Sequence, residues 1–329
     1  MSRDPASPAV VAEAIEKRFD RTQAVAGVSF SIAAGELFGF VGPDGGGKTT
    51  LFRILATLMI PDAGRATVLG RDVVRDLWTL RTRIGYMPGR FSLYPDLSVL
   101  ENLRFFASVF GTTIAAARAD IAPIYSQLEP FNDRRAGALS GGMKQKLALC
   151  CALVHRPEIL LLDEPTTGVD AVSRREFWDL LGTLKHAGMT IVVSTPYMDE
   201  ATRCDRVALM QRGRLLATDT PQRIAASVDR PLLAVHAADR YHALLALRES
   251  PRTHTVYPFG ESLHYADRRA DAAADAVAAE VRAYLASRGF ADVRVETATP
   301  TVEDAFIARM GAPDDVAGGN GQTRTGPAR

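Results

Sequence analysis

The hydrophobic rhythm of the chain changes every few residues. VVAEAIEKRF (10–19) and VSFSI (28–32) carry alternating or β-branched apolar positions, the pattern of half-buried strands. ELFGFVG (36–42) is instead a short apolar run that stops at glycine, which predicts a buried strand. KTTLFRILATLM (48–59) turns to helical spacing, and ATVLG (66–70) and IGYMP (84–88) predict further short strands. SVLENLRFFASVF (98–110) places Ser98 three residues before Glu101, the spacing of a capping box, and continues as a helix in which Phe105 and Phe106 are expected in the core. IAPIYSQLEPF (121–131) reads as a second helix, broken by Pro123 and Pro130. Helical and strand-like runs then alternate through LSGGMKQKLALCCALVH, EILLLDEP, SRREFWDLLGTLKHAG, TIVVSTP and RVALMQRGRLLATD (206–219). This alternation predicts an α/β fold on an open, mostly parallel sheet. The span from about 91 to 135 has helices and no strand signal, so it predicts an all-helical insert.

The pattern changes after Asp219. TPQRIAASVDRP (220–231) reads as a last helix and a linker, which closes a first domain at about 1–228. From 231 to 310 the order is strand, helix, two strands, helix, strand and a final helix, a βαββαβ arrangement that predicts a small α+β domain of the ferredoxin-like kind. The Gly-, Pro- and polar-rich segment 311–329 is expected to be disordered.

Composition narrows the classes of function. Lys and Arg number 39 and Asp and Glu 38, a net charge of +1, so no electrostatic footprint for nucleic acid is present. Three cysteines, two of them adjacent, do not make a disulfide framework and suit a reducing, cytoplasmic compartment. No uncharged apolar run approaches the roughly 18 residues that span a bilayer, so a membrane role calls for a spanning partner. Four histidines of the C-terminal region, His236, His242, His254 and His264, lack metal-ligand spacing. His155 reads as a helix-end residue that balances the dipole.

One stretch gives up much backbone entropy. FVGPDGGGKTTLF (40–52) fits G-x-x-x-x-G-K-[ST] with Gly42, Pro43, Asp44, Gly45, Gly46, Gly47, Lys48, Thr49 and Thr50, between a predicted strand and a predicted helix. Bare glycines let successive N–H groups curl around an anion, and the helix start adds its positive end. Lys48 is placed to reach the outer phosphates of a bound triphosphate, and the Thr49 hydroxyl to hold Mg²⁺. Asp163 ends the apolar run 159–162, at the strand edge where open α/β sheets bind ligands, and is expected in the Mg²⁺ shell. Glu164 is suited to act as general base toward the attacking water.

LSGGMKQK (139–146), close before the acidic strand, resembles the LSGGQ signature of the ATP-binding cassette (ABC) ATPases. The resemblance covers roughly 10–227 and implies the P-loop ABC cassette fold. It implies that Ser140, Gly141 and Gly142 serve the ATP of a second subunit. It also implies that Phe19 stacks on adenine and that Asp170 belongs to the D-loop crossing the dimer interface. The cofactors implied are ATP and Mg²⁺. The partners implied are membrane-spanning permease subunits, docked in part through the loop 91–95, and a second ABC ATPase. The location implied is peripheral, on the cytoplasmic face of the membrane. TPTVEDAFI (299–307) resembles the PSLEDVF ending of the drug, lipid and polysaccharide export branch, and the whole is similar to one half of a tandem export ATPase.

The sequence departs from that family in three places. Gly89 stands where the family has a Gln that touches Mg²⁺ and the lytic water. Pro196 stands where it has a His on the γ-phosphate, and Asp44 where it usually has Asn. Losing two positioning groups predicts firm binding with slow hydrolysis at this chain's own loop. The expected function is an exporter's ATPase subunit, driven by nucleotide-dependent dimerisation, with a degenerate site of its own. The alternatives are a non-hydrolytic regulatory subunit and a soluble ABC ATPase acting on DNA or ribosomes. No N-K-x-D motif is present to favour GTP.

Overall fold

The structure is a computed structural model and describes residues 7–89 and 93–310. The chain divides into two compact units between Pro221 and Gln222. The first runs β1 (Val10–Phe19), β2 (Thr22–Ile32), β3 (Leu37–Val41), α1 (Lys48–Leu55), β4 (Ala63–Val68), β5 (Arg71–Asp72), α2 (Leu77–Arg81) and β6 (Ile84–Met87). It continues through α3 (Val99–Val109), α4 (Ile114–Tyr125), α5 (Gly141–Leu153), β7 (Ile159–Asp163), α6 (Ala171–His186), β8 (Thr190–Thr195), β9 (Arg206–Gln211) and β10 (Arg214–Asp219), with α7 (Pro221–Ala226) at the division. Six strands form a sheet in the order β10-β9-β3-β8-β7-β6, parallel except for the β9–β10 hairpin. A four-stranded antiparallel sheet, β2-β1-β4-β5, adds a second layer.

The core explains why the glycine loop begins where it does. Every residue of β3, β7 and β8 is buried, as expected of parallel strands covered on both faces. Phe40 of β3 meets Phe30 of β2 edge-on at 4.9 Å between ring centroids and Phe52 of α1 at 5.9 Å. One aromatic cluster thus ties both sheets to the helix that follows the loop. It fixes the end of β3 and the start of α1, the two ends of the loop.

Between β6 and β7 the described residues form helices and 3₁₀ turns, with one isolated bridge, Ser98 to Arg135. Ser98 and Glu101 make both bonds of the capping box. Three expectations need correction here. The second helix begins at Ile114, capped by Thr113, and passes through Pro123 to end at Tyr125. A proline in the last turn forfeits a single backbone bond, which the packing of Ile121, Ile124 and Tyr125 offsets. Phe105 is not core: it is 37% exposed and packs edge-on against the exposed Tyr94 at 4.7 Å, whereas Phe106 is half-buried. His155 stacks on Phe110 at 3.8 Å and sits 3.1 Å from the Ile84 carbonyl oxygen. Burial lowers its pKa, so it favours the neutral form and is no dipole-balancing cation. Phe91 and the tail 311–329 lie outside the described residues.

The second unit has β11 (Leu232–Ala237), α8 (Arg240–Glu249), β12 (Thr253–Phe259), β13 (Ser262–Asp267), α9 (Ala274–Ser287), β14 (Val293–Thr297) and α10 (Val302–Met310). Its strands form an antiparallel sheet in the order β12-β13-β11-β14. The motif around α10 has a definite structural task. The buried Asp304 carboxylate accepts bonds from the Thr301 amide (2.7 Å), the Thr301 hydroxyl (2.6 Å), His264 Nδ1 (2.6 Å) and the Tyr257 hydroxyl. Burial pushes this carboxyl up, but the bonds from His264, Thr301 and Tyr257 outweigh it and hold the pKa below its ordinary value. Asp304→Ala leaves these donors unpaired, and about 3 kcal/mol of local stability is lost. Hydrogen exchange over Val302–Met310 reads this as lost protection. Because the folded pKa is depressed, the stabilisation is complete above the range where a free carboxyl titrates. It disappears as pH falls through the lowered value.

Candidate functional site

The loop leaves β3 at Val41 and enters α1 at Lys48. Gly47, the N-cap, has φ +102°, a conformation open to glycine and strained for other residues. The Lys48 ammonium is buried and donates to the carbonyl oxygens of Gly42 (2.7 Å) and Pro43 (2.9 Å). It also lies 3.2 Å from Glu164 Oε1. Asp44 is exposed.

The acidic pair meets the loop from β7. Asp163 is buried, and its Oδ1 accepts from the Thr49 hydroxyl (3.2 Å) and the Ser194 hydroxyl (2.6 Å). Ser194, on the neighbouring strand β8, also fixes Glu164: the Glu164 amide donates to its side-chain oxygen (2.9 Å) and to its carbonyl (3.1 Å). Glu164 has φ +50°, and the double anchor holds that uncommon backbone state. The pattern reading missed Ser194. Its signal is the polar pair Ser194-Thr195 that follows the apolar run 191–193 at the ligand-binding edge of the strand TIVVST.

A cleft of about 460 Å³ opens beside this pair, lined by Thr49, Arg53, Tyr86, Gly89, Asp163 and Glu164. Burial, with the Asp163 charge, pushes the Tyr86 hydroxyl up to about 12. A Cβ on Gly89 would lie 3.0 Å from the Asp163 carbonyl oxygen and 3.6 Å from Glu164 Cβ, so position 89 borders the acidic pair. Pro196 directly follows β8, and the preceding Thr195 hydroxyl bonds the buried Glu200 carboxylate at 2.5 Å. Thr166 holds the other oxygen of Glu200 at 2.8 Å.

Two further helix starts stand together. Ser140 caps α5 by accepting from the Met143 amide, and Asp170 caps α6 by accepting from the Val172 and Ser173 amides. The Ser173 amide, with its side chain, holds the Asp170 carboxyl below its ordinary pKa. A Cβ on Gly142 would come within 2.5 Å of Ser173 Oγ, so the glycine permits this approach. Phe19 ends β1 and is 43% exposed, and Lys17 Nζ lies 5.8 Å from its ring centroid. Elsewhere on the first unit an apolar groove of about 410 Å³ is lined by Leu58, Trp78, Phe106, Val109, Phe110 and His155. Trp78 on its wall is 75% exposed. No helix of the described residues is long and apolar enough to cross a membrane.

The donor set fits a magnesium triphosphate. Thr49 and Asp163 present hard oxygens side by side, as Mg²⁺ requires when phosphates supply further ligands. Lys48 already occupies an anion-facing seat against carbonyls and a carboxylate. Fold and site together define a P-loop nucleotide-binding protein.

Comparison with known proteins narrows the class. The family model described as ABC transporter matches residues 25–167. The chain is 40% identical over 304 residues to the probable multidrug ABC transporter ATP-binding protein YbhF of Escherichia coli (strain K12), covering 90% of this chain and 51% of that protein. It therefore spans about half of YbhF's length. It is 42% identical over 216 residues to the Nod factor export ATP-binding protein I of Burkholderia orbicola (strain AU 1054), covering 65% of this chain and 71% of that one. Among solved structures, cbiO1 of Clostridium perfringens, part of the ABC transporter complex cbiONQ, superposes with TM-score 0.60 at 27% identity, covering 67% of this chain and 91% of that one. A dimeric ATP-binding cassette in a post-hydrolysis state with ADP and Pi gives 0.58 at 26% identity, covering 64% and 98%. The chain belongs to the ABC transporter ATP-binding family.

Proposed function

We propose that this chain is the ATP-binding and hydrolysing subunit of an ABC exporter, and that its own site is degenerate. The observation that carries the reading is the Lys48–Glu164–Asp163–Thr49 constellation, bordered by a glycine at 89, with a proline at 196 directly after β8. A bound magnesium nucleotide supplies the phosphoryl group. Lys48 neutralises its outer phosphates, and Thr49 and Asp163 would hold the metal. Glu164 accepts the proton of the attacking water. The exposed Phe19 ring offers a face for adenine. Ser140, Gly141, Gly142 and Asp170 are left for the nucleotide of a second cassette. The multidrug and Nod factor export names of the relatives support export as the task. The dimeric cassette among the similar structures supports clamping on nucleotide as the power stroke. The exposed apolar groove around Trp78 suits a permease's cytoplasmic helix.

Gly89 cannot orient the lytic water, and Pro196 offers neither donor nor base. Hydrolysis at this chain's own loop is therefore slow. Turnover rises when a second cassette binds, and the rise depends on Ser140. An ATPase assay of the full chain, alone and with a partner cassette, tests this. A normal rate without partner that vanishes in Glu164→Gln defeats the degenerate reading. No turnover under any condition favours the regulatory alternative.

A further inference from the structure

The glycine loop is braced from behind by a hairpin far away in sequence. Strands β9 and β10 are joined by Arg212 and Gly213, with Gln211 opposite Arg214. Both joining residues have positive φ, +46° and +76°, the signs of a type I′ turn. The Gly213 amide donates to the Gly46 carbonyl at 2.9 Å, and its own carbonyl accepts from the Ala26 amide of β2 at 2.8 Å. Gly213 thus joins the phosphate-side loop to the antiparallel sheet that carries Phe19.

The loop's glycines are bare toward this brace. A Cβ on Gly42 would lie 1.9 Å from the Met210 carbonyl oxygen, and one on Gly47 would lie 2.2 Å from that of Ala24. Gly213 is confined as well. Its Cβ would lie 2.8 Å from the Ala24 oxygen and 3.0 Å from the Ala24 carbonyl carbon, backbone atoms that cannot rotate away. A side chain at 213 must push the hairpin off β2, and the bond to Gly46 goes with it.

We propose that Gly213 is a positioning residue for nucleotide binding: its backbone clamps the glycine loop to β2 and holds the anion cradle in shape. The proposal rests on the reading of that loop as the nucleotide site. Titration of the full chain with a fluorescent ATP analogue and Mg²⁺ tests it. Gly213→Ala weakens binding by about fivefold to tenfold, the worth of one backbone hydrogen bond. Gly70→Ala is the control. Gly70 has φ +73° but nothing within 4 Å of its Cβ position, so it carries the same backbone strain without the collision. It stays within about twofold of wild type, since strain alone does not reach the loop.

Equal affinity of Gly213→Ala and wild type, or equal losses in both variants, overturns the proposal. If Gly213→Ala does not fold, hydrogen exchange on the wild-type chain decides. Saturating Mg·ATP slows exchange at the Gly213 amide, because the ordered loop holds its acceptor in place. An unchanged rate there, in a chain that binds nucleotide, overturns the clamp. A wild-type chain that binds no nucleotide overturns the underlying reading, and the clamp falls with it.

Discussion

Lys48→Ala raises the Kd of the full chain for Mg·ATP by about a hundredfold, equivalent to about 2.7 kcal/mol. The ammonium is buried at the mouth of α1 and has three oxygen neighbours, the carbonyls of Gly42 and Pro43 and the carboxylate of Glu164. It is therefore held in place before any ligand arrives, so little side-chain entropy remains to be lost on binding. Alanine removes the one cation within 4 Å of Glu164 among the described ion pairs. It leaves an uncompensated carboxylate facing the incoming phosphates. Lys48→Arg does not rescue, because the two carbonyl oxygens and the carboxylate oxygen converge on one compact ammonium, a geometry the planar fork of a guanidinium does not reproduce. Equilibrium titration with a fluorescent ATP analogue measures the change. A shift under threefold means that the phosphates bind elsewhere.

Glu164→Gln acts on the other half of the site. It lowers the single-turnover hydrolysis rate by a factor of roughly 10²–10⁴, the usual worth of a general base. Nucleotide affinity is retained or improved. The Glu164 amide is held by Ser194 through two acceptors, so the backbone stays in place when the side chain changes. The substitution also removes the negative charge from one of the three oxygen neighbours of the Lys48 ammonium. The rate thus falls without a loss of affinity, which separates this residue from Lys48. A parallel loss of both means that Glu164 holds the loop together and has no role as a base.

The parts of this molecule legible in the sequence share one property: their chemistry is local. The strand-glycine-helix order of the loop, the buried run ending in Asp163-Glu164, and the Ser98–Glu101 capping box are each written in consecutive residues and appear where expected. Residues that act across long separations were not legible. Ser194 reaches Asp163 from the adjacent strand, and Gly213 reaches Gly46 from a hairpin. Nothing in either local pattern names its partner. The exposure of Phe105 is hidden from the sequence for a related reason. Helical spacing gives a periodicity, but which side faces solvent depends on the neighbours, and Phe105 lies edge-on to Tyr94 and Phe106 with its side chain partly in solvent. The start of α4 is not legible because IAAARAD has weak amphipathicity, and its cap Thr113 sits in an ordinary TT pair.

Photolabelling with an azido-adenine ATP analogue, followed by peptide mapping of the full chain, asks most directly whether a nucleotide lies between the glycine loop and the Phe19 ring. The predicted result is a magnesium-dependent label on the peptide spanning residues 10–32, displaced by unlabelled ATP. Label confined to residues 232–310, or label that ATP does not displace, contradicts it.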